Sequence, residues 1–318
     1  MGGKSSAKTD RTLISVVSPA HNEEKNLPLM YSEIAAVFAK ETKYDFEYII
    51  VNDGSTDDTW EIIKDLCSKC GNIRGINLSR NFGHQIALTA GLDRASGAAV
   101  IYCDSDLQHP PSIFPELIRK WEDGYKIVHT FRKYTKGEPI LKKLFSEFFY
   151  KVLNIFTEYP VKKGFADFKL LDNSVLKELK SMREHNRFLR GLVPWMGYRS
   201  AVVSFVARER VYGKPWYNFR RNLTFAKLGI LSLSSKPLKF IGYIGIALIG
   251  FSLLLLSYNF IYFIRSKEWL FSPTFALSVF NTLLNGILLS SLGIVALYLS
   301  CIYVEVIDRP IYIVDEEV

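Results

Sequence analysis

Two long stretches without a charged residue dominate the carboxyl-terminal third of this chain. Between Lys239 and Arg265 the sequence reads FIGYIGIALIGFSLLLLSYNFIYFI. As a helix this run extends about 37 Å, more than the roughly 30 Å hydrocarbon core of a bilayer. A second uncharged run extends from Ser272 to Val304, and Tyr243, Tyr262, Trp269, Tyr298 and Tyr303 sit near the edges of the two, as an interfacial aromatic belt would. A pair of buried core helices is the competing reading, and two such runs within 318 residues argue against it. Two membrane spans are therefore expected, at about 239–264 and 273–304, forming a hairpin over 237–306. Arg208, Arg210, Lys214, Arg220, Arg221, Lys227, Lys236 and Lys239 precede the first span, against Arg265 and Lys267 in the loop. That bias places the preceding domain and both termini in the cytoplasm. The opening MGGKSSAKTDRT is polar and reads as a flexible tail over 1–11, not a signal peptide.

Ahead of the spans, short apolar runs rich in Val and Ile alternate with amphipathic segments. LISVVSP (13–19), FEYIIVND (46–53), IRGINLS (73–79), AAVIYCD (98–104) and YKIVHTF (125–131) read as strands, separated by helical patterns. This alternation predicts an α/β domain over 12–217 with a mostly parallel, Rossmann-like sheet covered on both faces. Ligands of such sheets bind at the carboxyl ends of the strands. Those ends carry PAHNEE, NDGSTDDT, SRNFGHQ and DSDLQHPP. Neither GxGxxG nor GxxxxGK[ST] follows a strand, which counts against a dinucleotide dehydrogenase and a P-loop ATPase. The formal charge of +8, from 40 basic and 32 acidic residues, favours an anionic partner. The basic residues gather near the spans without interleaved stacking platforms, so nucleic acid is not expected.

Asp104 and Asp106 form an Asp-x-Asp after a predicted strand. Hard oxygen ligands in this position suit Mg²⁺ or Mn²⁺ bound together with nucleotide phosphates; a solvated turn is the alternative. Asp53, Ser55 and Asp57 all sit near a predicted helix start, where any of them suits a helix cap. Cys67 and Cys70 lack a second ligand pair for zinc, and four cysteines are too few for a disulfide scaffold.

The motifs SPAHNEE, VNDGSTDDT, LSRNFGHQIALTAGLDRASG, DSDLQHPP, ADFKLLD (166–172), NRFLRGLVPWMGY (186–198) and IYVEVIDRPIY (302–312), in this order and with two spans, resemble a known family. The chain is similar over about 12–312 to the polyisoprenyl-phosphate glycosyltransferases of glycosyltransferase family 2, which have the GT-A fold. The resemblance implies transfer of one sugar, with inversion, from a nucleotide-diphosphate sugar to a polyisoprenyl phosphate at the cytoplasmic membrane face, with UDP-glucose the favoured donor. It implies a nucleotide-sugar pocket lined by Pro19, His21, Glu23, Val51, Asp53, Asp104 and Ser105, with Asp53 accepting hydrogen bonds from the nucleotide base. It makes Asp106 and Gln108 direct metal ligands, with Asp104 facing ribose or metal. Asp167 takes the place of a catalytic carboxylate or of an orienting partner for an arginine, and Arg132 and Arg210 stand near the phosphates. Asn52 replaces the first of two acidic residues usual in the family, and Trp216 stands at a usual lysine position, which leaves that charge to Lys214.

The lipid phosphate would be met by Arg208, Arg210, Lys214, Arg220 and Arg221, the last two on an interfacial helix within 218–236; an ordinary linker helix is the alternative there. A cytoplasmic tail, 307–318, ends the chain. Gly286, Ser290, Ser291 and Gly293 suit either a close helix contact, as in a homo-oligomer, or a lipid-facing surface. Two other functions stay open: a family 2 transferase acting on another lipid or a polysaccharide, and a membrane-anchored scaffold that only binds nucleotide sugar. The Gln-x-x-Arg-Trp of processive synthases is absent.

Overall fold

The computed structural model describes residues 11–133, 165–185, 187–208, 236–268 and 272–318. Strands β1 (Thr12–Ala20), β2 (Tyr44–Asn52), β3 (Ile73–Leu78) and β4 (Ala99–Tyr102) alternate with helices α1 (Leu27–Phe38), α2 (Thr59–Lys69) and α3 (His84–Arg94). Next come α4 (Phe114–Glu122), β5 (Ile127–Lys133), β6 (Phe165–Asp172), α5 (Asn173–Ser181), α6 (Leu189–Trp195) and β7 (Ser200–Val206). Two long helices, α7 (Lys236–Ser266) and α8 (Pro273–Ile307), precede a last strand, β8 (Val314–Glu317).

The strands form one sheet in the order β7-β5-β6-β4-β1-β2-β3-β8. The pairs β1–β2, β1–β4, β2–β3 and β5–β7 are parallel, while β6 is antiparallel to both its neighbours and β8 to β3. The expected mostly parallel α/β sheet is therefore present. Consecutive strand residues point to opposite faces. Val16, Ile50, Ile101 and Leu170 pack in one core with α1, α2 and α4. Their neighbours Val17, Ile49, Val100 and Leu171 pack in the other with α3, α5 and α6. Helices on both faces bury both sets, which is why these strands read as continuous apolar runs and not as alternation.

Helices α7 and α8 extend slightly beyond the segments expected to be apolar spans. Among the described residues one stretch, Phe280–Ile307 in α8, is long and apolar enough to cross a bilayer, with a mean hydropathy of 2.2. The segment expected to lie in the interface, up to residue 235, falls outside the described residues, as do Arg210, Lys214, Arg220 and Arg221. Residues 307–318 were set apart as a tail, yet 314–317 join the sheet as its eighth strand.

Candidate active site

Each of the four parallel strands β1 to β4 runs into a turn containing one residue with positive φ: Asn22 at 59°, Gly54 at 60°, Gly83 at 98° and Leu107 at 61°. For a bulky residue such as Leu107 this conformation costs on the order of 1–2 kcal/mol, and held strain of this kind gathers where a loop must present ligands. At Gly54 a side chain is excluded outright, because a Cβ would lie 2.4 Å from the amide nitrogen of Asn81. The turns after β2 and β3 are thus pressed together.

Hydrogen bonds knit these turns into one surface. Ser105 Oγ donates to the carbonyl of Pro19 at 2.7 Å, joining the ends of β4 and β1. The His21 Nδ1 lies 2.9 Å from the carbonyl oxygen of Asp53. The side-chain amide nitrogen of Asn81 lies 3.2 Å from the same ring nitrogen. The amide of Glu23 donates to Thr59 Oγ1 at 2.9 Å, and its carboxylate takes a hydrogen bond from Asn26. Val51 is fully buried and stands in register opposite Pro19.

Asp53 accepts the backbone N–H groups of Phe82 at 2.7 Å and Gly83 at 3.1 Å. It therefore fastens the loop ahead of α3. Burial pushes its carboxyl up from the ordinary value, against the lowering effect of those two amides. Its two oxygens still have acceptor capacity, since a carboxylate offers about four lone-pair positions.

The Asp104–Gln108 turn is wound tightly. Asp106 is buried and accepts the Gln108 N–H at 3.1 Å. The amide of Asp104 donates to His109 Nδ1 at 3.1 Å, and the His109 ring stacks on Phe168. Asp104 Oδ1 is buried without a hydrogen-bond partner, and His84 Nε2 lies 3.3 Å away. Among the described residues no group of three His, Cys, Asp or Glu side chains is gathered around one point. Two carboxylates and a half-buried Gln108 form an open set, which suits a cation that completes its shell with ligand oxygens and water and not one caged by protein.

Asp167, at the start of β6, faces the same end of the sheet. It accepts Gln85 Nε2 at 3.1 Å and lies 2.9 Å from Arg190 Nε. Burial alone would raise its carboxyl; the Arg190 guanidinium more than reverses this and holds it at about 2. Gln85 bridges further, accepting the Leu189 amide at 3.1 Å, so α3, β6 and α6 meet on one side chain. The sequence suggests an arginine partner for Asp167 without saying which, and gives no sign that Gln85 holds this carboxylate or that Lys169 is buried two residues beyond it on the same strand. The lysine itself is visible as a lone cation within the apolar strand FADFKLLD.

Arg132 is exposed near the end of β5, at the same end of the sheet as Asp167. Arg208 is also exposed and pairs with Glu33 on α1 at 2.7 Å.

The glycosyl transferase family 2 model matches residues 15–180, which contain every turn just described. The uncharacterized glycosyltransferase YkcC of Bacillus subtilis is 38% identical over 304 residues, covering 95% of this chain and 93% of its own. The SfII prophage-derived bactoprenol glucosyl transferase of Shigella flexneri is 34% identical over 311 residues, covering 95% of this chain and 97% of its own. A GT-A-like α/β sheet whose strand ends gather Asp53, Asp104, Asp106 and Asp167, in a chain with relatives along nearly its whole length, leads to one conclusion: this enzyme is a glycosyltransferase and belongs to family 2.

Proposed function

We propose that the enzyme transfers one sugar from a nucleotide-diphosphate sugar, UDP-glucose, to a polyisoprenyl phosphate at the cytoplasmic face of a membrane. The observation that carries this reading is the extent of the likeness to the Shigella bactoprenol glucosyl transferase. It covers 95% of this chain, and so reaches beyond the sheet into the long helices. A lipid acceptor accounts for an apolar α8 on an otherwise complete α/β domain. A hairpin of two spans, α7 and α8, with both termini cytoplasmic, agrees with the excess of Lys and Arg ahead of α7.

The nucleotide would lie across the ends of β1, β2 and β4, near Pro19, His21, Glu23, Val51 and Asp53, with the ribose toward Asp104 and Ser105. Asp104, Asp106 and Gln108 are the residues to hold Mg²⁺ or Mn²⁺. A divalent cation there supplies charge neutralisation for the departing diphosphate. The acceptor oxygen attacks the anomeric carbon as the bond from that carbon to the diphosphate breaks, so a single displacement inverts the configuration. The acceptor phosphate is already anionic at neutral pH and needs placement more than deprotonation. A carboxyl held at about 2 is a weak base, so Asp167 acts as an orienting and charge-stabilising group. Arg132 and the basic residues 208–221 would screen the phosphates.

The test is incubation of the full chain with undecaprenyl phosphate and, separately, UDP-glucose, UDP-galactose, UDP-N-acetyl sugars and GDP-mannose. A lipid-linked monophosphate sugar made from UDP-glucose is expected. Product from another donor would overturn the sugar assignment alone. No lipid product from any donor, with nucleotide binding intact, would overturn the acceptor.

A further inference from the structure

His185 lies in the loop between α5 and α6 and meets the chain at the end of α8 through three contacts. Its amide donates to Glu305 Oε1 at 2.9 Å. Its ring Nδ1 lies 2.9 Å from Glu305 Oε2, and its Nε2 lies 2.5 Å from the carbonyl oxygen of Arg309. An ionised carboxylate and a backbone carbonyl only accept. A neutral imidazole carries one N–H and can serve one of them; the imidazolium carries two and serves both. The arrangement is that of a charged ring. In agreement, the bond to Glu305 and then the Arg309 carbonyl push the ring up from its ordinary value, with the charges of Glu305 and Asp308 adding to them. Glu305 and Asp308 are the charged groups that face the ring from the end of α8. Its own loop adds Arg183, Glu184 and Arg187.

The other fastenings of this loop are guanidinium groups. Arg183 pairs with Asp93 of α3 at 2.8 Å, and Arg187 donates to the carbonyls of Leu179 and Met182 at the end of α5. Arginine stays charged across the pH range in which proteins stay folded. Of the basic side chains in this loop, histidine alone can lose its proton near neutrality. We infer that His185 is a positioning residue that works as a proton-operated clasp: the imidazolium ties the loop leading into α6 to the end of α8, and the neutral ring releases either Glu305 or Arg309. The contribution of the clasp is complete below about pH 6.5, the histidine value in an unfolded chain, and is lost as the pH rises through the higher value of the folded chain. Arg190, whose Nε lies 2.9 Å from Asp167, stands five residues further along. The clasp therefore bears on where α6 begins and so on the lipid-facing side of the reaction. That last step rests on the proposed polyisoprenyl phosphate acceptor; the clasp itself does not.

The experiment uses the full chain with His185→Gln, His185→Arg and Glu305→Gln. With histidine labelled in ¹³C, NMR follows the five imidazoles against pH, and the signal missing from His185→Gln identifies His185. It should titrate above the ordinary value of about 6.5, and fall back toward it in Glu305→Gln. Melting gives a second readout. The wild type should melt about 2–4 °C above His185→Gln at pH 6, the scale of one partly exposed charged contact, and the gap should close by pH 9. His185→Arg, charged throughout, should keep its margin over His185→Gln at pH 9. A ring that titrates at or below the ordinary value, or a gap equal at both pH values, would overturn the clasp. Transfer tests its reach: from pH 6.5 to 8.5 the KM for undecaprenyl phosphate should rise about threefold more in the wild type than in His185→Arg. An equal change in both enzymes would overturn the link to the acceptor. An absence of lipid product at every pH would instead overturn the proposed function, with the NMR titration and the melting curves still deciding on the clasp.

Discussion

Replacing Gln85 by leucine tests the centre of the site, because one side chain there holds three elements. Gln85 is 9% exposed, donates to Asp167 and accepts from the Leu189 amide that opens α6. Leucine fills a similar volume and makes neither bond. A buried amide left unpaired costs about 1–3 kcal/mol, and a bond to a charged carboxylate contributes about 1.5–3 kcal/mol. The middle of those ranges gives a loss of about 4 kcal/mol. For a domain of this size each kcal/mol moves the midpoint by roughly 2–4 °C, so Tm should fall by about 8–16 °C. Gln85→Glu separates the two bonds. It keeps an acceptor for Leu189 but sets a second carboxylate beside Asp167, and like charges raise the pKa of one of them. Protonation restores a donor, so this variant's deficit in Tm should shrink as the pH falls from about 8 to 5, above the range where ordinary carboxyls titrate. Thermal unfolding of the purified full chain across that pH range is the assay. A Gln85→Leu protein melting with the wild type, or a deficit in Gln85→Glu that ignores pH, would refute the reasoning.

Three further outcomes follow from named contacts. Asp106→Asn keeps an acceptor for the Gln108 amide, so it should fold normally yet lose turnover, as the wild type should in EDTA; full activity in EDTA would remove the metal from the reading. Asp172 caps α5 through Ser174 and accepts Trp121 Nε1 at 2.7 Å. Burial would raise its carboxyl, but these bonds and Lys126 bring it down to about 2. Its contribution is therefore present above pH about 4 and lost as the pH falls through about 2. It amounts to about 2 kcal/mol, and Asp172→Ala should flatten the acid limb of a stability-against-pH curve by that amount. Deleting residues 313–318 should lower Tm and promote aggregation in light scattering, because Gly75 and Ser79 lose the partners of their amides and the edge of β3 is uncovered; an unchanged Tm would show that β8 contributes nothing.

The strands legible in the sequence were those buried on both faces. LISVVSP and FEYIIVND contain few polar residues, and helices on both sides of the sheet are the reason. Strand β8 escaped notice because VDEE has the composition of a soluble tail. Its pairing is set by a distant partner, with Trp60 donating to Glu316 and Arg94 pairing with Glu317, and no local pattern announces that. Among the site residues, the carboxylates at strand ends were legible because the topology rule names where to look. Gln85 was not: a glutamine on a helix is ordinarily solvated, and its importance depends on α6 arriving from more than a hundred residues away.

The carboxyl-terminal segment also bears on the site itself. The last turn of α8 offers Glu305, whose carboxylate accepts the His185 amide at 2.9 Å and lies 2.9 Å from His185 Nδ1. His185 belongs to the loop between α5 and α6, five residues ahead of Arg190. Beyond the left-handed turn at Asp308, Tyr312 donates to Asp93 at 2.8 Å near the end of α3, the helix whose first turn carries Gln85. The loop that leads into α6, which carries Arg190, is thus held by α8, and α3, which carries Gln85, is held by the chain that leaves α8. The apolar helix and the carboxylate are therefore joined by folded protein at two points, and the position of one constrains the position of the other.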